Sequence, residues 1–278
     1  MTIYIPTKLK RERLGLFGDG GSGKSQALLD IAMETPGHKY IIDVDYTSYW
    51  DQALEEFPEL EAKLTVATLA TDDWTPYLEL LPEWREEAGP DDWLFIDSMT
   101  HSWQACQSYY SAETLGMQFD ELIANARKAQ LKSKGKAMMV FQGDTDWRVI
   151  NSHYIPATWG QITKWPGHVA LTFQEKKMTD DANREKNWKD FEGYRPEAQK
   201  AAKYATRTFL HMYKRGRNSY YIDTVKDRFR PKLDEEEWGA ENDEGSFVEK
   251  YLVEVGGWVK KPAKKKVEKT GEGDGASA

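Results

Sequence analysis

Residues 18–23 read Gly-Asp-Gly-Gly-Ser-Gly, four glycines in six positions. Glycine weakens helices and strands alike, so such a run belongs to neither. On its amino side lies the apolar "RLGLFG" (13–18). On its carboxyl side lies "SQALLDIAME" (25–34), where Ala27, Leu28, Ile31 and Ala32 share one helical face. A buried strand, a flexible loop and a helix in that order fix a β-loop-α unit at the start of the chain.

The remainder repeats this alternation. Strands are expected at "KYIIDVD" (39–45), "LTVATLA" (64–70), "DDWLFIDS" (91–98) and "GHVALTFQE" (167–175). Helices are expected in "DQALEEFPELEAKL", with a break at Pro58, in "TPYLELLPEWREEA", where Pro76 suits a first turn, and over much of 112–136. Residues 204–228 read as two strands joined by a turn at 215–218. Near-continuous apolar strands alternating with helices predict an α/β fold with a mostly parallel central sheet flanked by helices, ending in an antiparallel hairpin. The expected division is an N-terminal extension (1–12), one α/β domain (13–233), and then an acidic linker, a short helix and a disordered charged tail (234–278). No internal repeat is visible.

The loop matches the phosphate-binding pattern Gly-x4-Gly-Lys-Ser at Gly18, Gly23, Lys24 and Ser25. Glycines let backbone N–H groups approach phosphate oxygens, and the following helix offers its own free N–H groups to an anion. The candidate phosphate cradle is therefore Gly18, Asp19, Gly20, Gly21, Ser22, Gly23, Lys24, Ser25 and Gln26. Lys24 would neutralise the terminal phosphates, and the Ser25 hydroxyl would ligate Mg2+. Asp97, closing the apolar run "WLFID", is the natural carboxylate for that metal at a strand's carboxyl end, although "DSMT" would also serve as an ordinary helix cap. The Asn/Thr-Lys-x-Asp segment that reads guanine is absent, and a lone Asp190-x-x-Gly193 follows a charged loop rather than a strand. ATP is the nucleotide left by elimination.

With these motifs in order, the chain resembles the RecA-type P-loop ATPase core. The carrying residues are "YIIDVD", "WLFIDS" and "VALTFQ". The resemblance implies that Asp45 activates the attacking water, in a place where the family carries Glu. It also implies that Gln174 senses the γ-phosphate and passes its state to a DNA-binding loop. More narrowly, "DTDWRVINSHY", "YRPEAQKAAKYATRTFLHM" and "YIDTVKDRFRP" resemble small phage-encoded RecA-like proteins of the Sak single-strand annealing type, over roughly 13–232. That implies ATP-dependent handling of single-stranded DNA in phage recombination or replication. A homo-oligomer and a phage or host recombination protein are the further partners it suggests.

The span 175–203 follows Gln174 and is long for a connector. It carries Lys176, Lys177, Arg184, Lys186, Lys189, Arg195, Lys200 and Lys203, interleaved with Trp188, Phe191 and Tyr194. Cations plus ring faces suit a sequence-tolerant grip on a single strand. Seven acids (Glu175, Asp180, Asp181, Glu185, Asp190, Glu192, Glu197) share the span, which leaves a solvated, salt-bridged excursion equally open. Lys226, Arg228, Arg230 and Lys232 read either as a solvated strand end or as an arginine source for a neighbour's phosphate. Lys260, Lys261 and Lys264–Lys266 read as solvated tail lysines without function, or as a weak attraction for an anion.

Net charge is −8, which argues against a generic nucleic-acid coat, so any such contact must be a local patch. The single Cys106 excludes an internal disulfide and fits a reducing compartment. No run approaches a membrane span's length and the start has no hydrophobic signal region, so a cytoplasmic protein is expected, in the host cell if phage-encoded. His38, His101, His153, His168 and His211 have no metal-ligand spacing. Two other readings remain. One is a nucleotide-gated protein-interaction module with little hydrolysis. The other is a small-molecule kinase, disfavoured because 175–203 lacks an arginine-rich lid.

Overall fold

The computed structural model describes residues 2–7, 11–44, 49–132, 143–180, 186–189, 191–216, 219–227, 229–239 and 245–261. Its strands are β1 (Tyr4–Pro6), β2 (Arg13–Gly18), β3 (Lys39–Asp43), β4 (Leu64–Thr68), β5 (Trp93–Asp97), β6 (His168–Lys177), β7 (Tyr194–Pro196), β8 (Thr208–Arg215), β9 (Ser219–Lys226), β10 (Glu236–Trp238) and β11 (Trp258–Lys260). The longer helices are α1 (Lys24–Glu34), α2 (Tyr49–Glu56), α3 (Thr75–Leu78), α4 (Leu80–Glu87), α5 (Met99–Leu115), α6 (Phe119–Lys132), α7 (Gly143–Ala157) and α8 (Trp159–Lys164). Among the described residues, no helix is long and apolar enough to cross a membrane.

The central sheet runs in the order β4-β3-β5-β6-β2-β8-β9-β10. From β4 to β8 all neighbours are parallel, whereas β8–β9 and β9–β10 are antiparallel. The structure is thus the α/β arrangement expected, a mostly parallel sheet with helices on its faces and an antiparallel hairpin at one edge. Strand β7 adds itself antiparallel to the far end of β6, and β1 pairs with β11 in a separate two-stranded sheet.

Alternate side chains of each parallel strand enter different cores, as the strand period of two requires. Phe17, Ile42, Leu94, Ile96, Leu171 and Phe173 face α4, α5, α7 and α8. Leu14, Leu16, Ile41, Phe95, Ala170 and Leu210 face α1 and α2. Both faces are covered, which is why these strands read as unbroken apolar runs.

Several boundaries differ from expectation. Pro58 opens a 3-10 turn over Pro58–Lys63 rather than continuing α2. The helical stretch expected over 112–136 is the end of α5 and the whole of α6, separated at Gly116, which caps α5 with φ +62°. The larger correction concerns 234–278. Trp238, Phe247, Val248, Tyr251, Leu252 and Trp258 are buried in the same core as α1, so 245–261 is a structural part of the domain and not an appendage. The expected short helix is present as a π-helical stretch, Val248–Val253. Lys264–Lys266 lie outside the described residues.

Candidate functional site

The parallel register brings the carboxyl ends of four strands to one edge. Gly18 of β2 lies opposite Gln174 of β6, and Asp43 of β3 lies opposite Asp97 of β5. Ligands of open α/β sheets sit beyond that edge.

The loop after β2 is shaped by its glycines at two points. A Cβ on Gly18 would stand 1.9 Å from the Met212 carbonyl oxygen, which only glycine avoids. Gly23 has φ +89°, and its Cβ would stand 2.8 Å from the Trp238 ring. Gly20, by contrast, has nothing within 4 Å of where a Cβ would be, so the mouth of the loop is open space.

Helix α1 starts at Lys24 with Gly23 as its cap. It has no side-chain cap bond and no acid in its first turn. Its leading N–H groups therefore remain available to an anion, and the helix dipole favours one. The Lys24 ammonium lies across the loop and donates to Gly18 O (2.9 Å), Asp19 O (2.7 Å) and Ser22 Oγ (3.1 Å). Asp19 Oδ1 accepts the Gly20 N–H at 2.8 Å, which stiffens the first turn.

Ser25 Oγ donates to Asp97 Oδ2 at 2.6 Å. The other carboxylate oxygen, Oδ1, accepts the Thr172 hydroxyl. Strand β5 is not adjacent to β2, because β6 runs between them. Thr172 on that intervening strand, fully buried, steers the Asp97 carboxylate toward α1. The sequence reading missed it; an isolated threonine in an apolar strand was the available signal.

A cavity of about 670 Å3 opens over this constellation. Residues 18–26 line it together with Tyr49, Asp97, Ser98, His101, Gln174, Glu175 and Tyr220. Its size suits a small organic ligand. Gln174 is exposed into it, and its backbone N–H is held by Thr100 Oγ1 at 3.0 Å. Gln26 donates to Asp30 Oδ1 (2.9 Å) and accepts from the Tyr49 hydroxyl (3.1 Å), so its side chain braces the cavity wall rather than lying loose. Tyr49 and Tyr220 are aromatic walls that sequence reasoning did not anticipate. Asp45 lies outside the described residues.

Among the described residues, no group of three His, Cys, Asp or Glu side chains forms a metal cluster. Mg2+ beside a triphosphate does not need one, since phosphate and water oxygens fill most of its octahedron. An uncapped helix start, an open glycine mouth, a lysine over the loop and a Ser–Asp pair at its base together fit a magnesium–triphosphate group.

The span 175–203 differs from its sequence reading. Trp188 and Phe191 are buried against Phe209, at 6.4 and 5.6 Å between ring centroids, and Phe191 also meets Phe17 at 5.9 Å. Neither offers a face to a base. Tyr194 is exposed and stacks on His211, whose Nε2 pairs with Glu175 at 2.9 Å. Lys176 pairs with Glu197 at 3.0 Å, and Arg195 sits over the Trp188 ring. The segment is largely a crossover packed on the sheet, carrying the chain from β6 over to β8. Lys177, Lys186, Lys189 and Lys200 are exposed on it. Asp181, Arg184, Glu185 and Asp190 lie outside the described residues.

Arg230 is not available to a neighbouring phosphate. It is buried and paired with Glu12 at 2.6 Å. Lys226 Nζ donates to the carbonyls of Lys203 and Thr206. Lys232 is exposed, and Arg228 lies outside the described residues. A larger cavity of about 760 Å3 lies beyond Thr100, between Trp103 and Arg195. Its lining mixes Asp72, Asp120 and Glu197 with Lys176 and Arg195, and no set of groups converges on one ligand chemistry. No protein-family model matches the chain, and no curated protein matches it.

Proposed function

We infer that the chain is a P-loop ATPase of RecA-like type that binds ATP with Mg2+ and hydrolyses it, acting on single-stranded DNA in phage recombination or replication. The observation that carries the nucleotide half is the Ser25 Oγ–Asp97 Oδ2 contact of 2.6 Å at the base of an uncapped helix and an open glycine loop. Lys24 exchanges its present carbonyl and hydroxyl partners for phosphate oxygens, and the loop amides bind the same phosphates. Ser25 and Asp97 hold the metal, which supplies neutralisation of phosphate charge. Asp45 positions water and Gln174 contacts the terminal phosphate, both roles resting on the family resemblance.

Release of inorganic phosphate from Mg-ATP by the wild type and by Lys24→Ala tests this directly. Wild type is expected to turn over and Lys24→Ala to lose at least tenfold in nucleotide affinity. Equal behaviour of the two proteins overturns the reading.

A second reading is a nucleotide-gated protein-interaction module with little hydrolysis. The burial of Trp188 and Phe191 favours it, because it removes two of the three ring faces that the 175–203 span would offer DNA. Phosphate release with and without an oligonucleotide separates the two: a DNA-dependent ATPase accelerates, and a module stays slow in both.

A further inference from the structure

The amino ends of β2, β6 and β8 form the edge opposite the nucleotide cavity, about 20 Å away along six-residue β2. Two large aromatics stand there in solvent, Tyr204 at 80% exposure and Phe229 at 79%. Single exposed apolar side chains are ordinary. These two share one corner on rigid supports. Lys226 Nζ binds the carbonyls of Lys203 and Thr206, which bracket Tyr204. Asp227, the next residue, accepts the Phe229 N–H at 2.9 Å and the Thr208 hydroxyl at 2.7 Å.

The same corner is cationic. The Arg207 N–H donates to Arg13 O at 2.9 Å, placing the starts of β8 and β2 side by side. The Arg13 guanidinium is held by the carbonyls of Gly167 (2.6 Å) and Trp165 (2.7 Å). Burial pushes its pKa down to about 10, and the charges of Arg11 and Arg207 push the same way. His168, one strand over, is likewise depressed, first by burial and then by Arg13, Lys39 and Arg11. Arg11, Arg13 and Arg207 thus gather at one edge of a chain whose net charge is −8, with Glu12 and Asp92 as the opposing charges. The acids at this edge are engaged: Glu12 beside Arg13 pairs with Arg230 at 2.6 Å, Asp92 Oδ1 accepts the His38 N–H at 2.6 Å, and Asp227 accepts the Phe229 and Arg230 N–H groups and the Thr208 hydroxyl.

We propose that this edge is a docking track for single-stranded nucleic acid, with Tyr204 and Phe229 stacking on bases and Arg11 and Arg207 facing phosphates. Flat faces interleaved with cations are what a sequence-tolerant single-strand grip requires, and a polyanion is the partner this edge attracts. The inference rests on the DNA half of the proposed function and relocates it away from the 175–203 crossover.

The test is fluorescence anisotropy of a labelled oligothymidine of roughly 20 nucleotides, long enough for more than one site. Tyr204→Ala with Phe229→Ala is expected to weaken binding about tenfold or more. Arg11→Gln and Arg207→Gln are each expected to flatten the slope of log affinity against log salt by about 0.7. Basal ATP hydrolysis is expected to be unchanged in all of them, which also shows that they fold. Unchanged affinity in the aromatic double variant overturns the proposal. So does loss of binding in Lys176→Ala with Lys177→Ala but not in the edge variants, and so does absence of oligonucleotide binding by an active wild type. Binding at the edge by a wild type that hydrolyses nothing supports the track while defeating the ATPase reading.

Discussion

Arg230 Nη2 donates to Glu12 Oε1 at 2.6 Å with both side chains nearly excluded from solvent, at 6% and 1% exposure. The pair joins the approach to β2 to the segment after β9. Trp258 Nε1 donates to the same Glu12 oxygen at 3.2 Å, and Arg230 also donates to the Tyr251 hydroxyl at 3.1 Å. One carboxylate thus gathers three distant parts of the chain.

Removing one partner leaves a buried charge, the costly outcome for such pairs. Arg230→Met is expected to lower unfolding free energy by about 3–5 kcal/mol, measured by urea titration. Adding Glu12→Gln is expected to restore much of that loss. If Arg230→Met alone is neutral, the pair is not holding the closing segment in place.

Trp238 is the link between that segment and the loop. Its ring packs on Gly23 and meets Tyr220 and Phe247 at 5.8 and 5.9 Å. Trp238→Ala is expected to cost about 3–5 kcal/mol of stability. Below its melting temperature the variant is also expected to bind nucleotide more weakly, because this ring supports Gly23, the cap of α1. Full nucleotide affinity in a folded Trp238→Ala would separate the ring from the site.

Two groups make stability depend on pH in opposite directions. Burial, reinforced by Arg13, Lys39 and Arg11, lowers His168 from 6.5 to about 3, and its Nδ1 accepts the Glu12 N–H at 3.1 Å. The unfolded chain binds more protons between those values, so this contribution is present above 6.5 and lost as pH falls. Burial raises Glu34 from 4.5 to about 7, with Asp30 and Glu249 adding to the rise and a Ser246 hydrogen bond opposing it. The folded chain then binds more protons between 4.5 and 7, so that contribution is present below 4.5 and lost as pH rises. The melting temperature of Glu34→Gln relative to wild type is expected to climb from pH 4.5 to 7. A constant difference across that range would remove Glu34 from the pH response.

Strands β2, β5 and β6 were legible because both their faces are covered, which writes an unbroken apolar run into the sequence. The contact between Ser25 and Asp97 was legible because a glycine loop followed by Lys-Ser and an acid closing an apolar strand are each conspicuous in the sequence. Helix α5 was not, since its buried positions include Thr100, Ser102 and Gln107 and leave no clean apolar stripe. Residues 245–261 were missed for a related reason: Phe247, Tyr251, Leu252 and Trp258 are diluted among charges and look like linker until the sheet supplies a surface. Trp188 and Phe191 misled because interleaved cations describe a stacking platform and a packed crossover equally well. Only burial distinguishes them.

The most direct test of the central claim is the Mg2+ dependence of binding by a fluorescent ATP analogue, in wild type and in Asp97→Asn. In the wild type Mg2+ is expected to tighten binding, while Asp97→Asn keeps its metal-free affinity and loses the metal's gain by about 10- to 100-fold. An unaltered Mg2+ effect in Asp97→Asn, or no nucleotide binding by the wild type, would contradict the account.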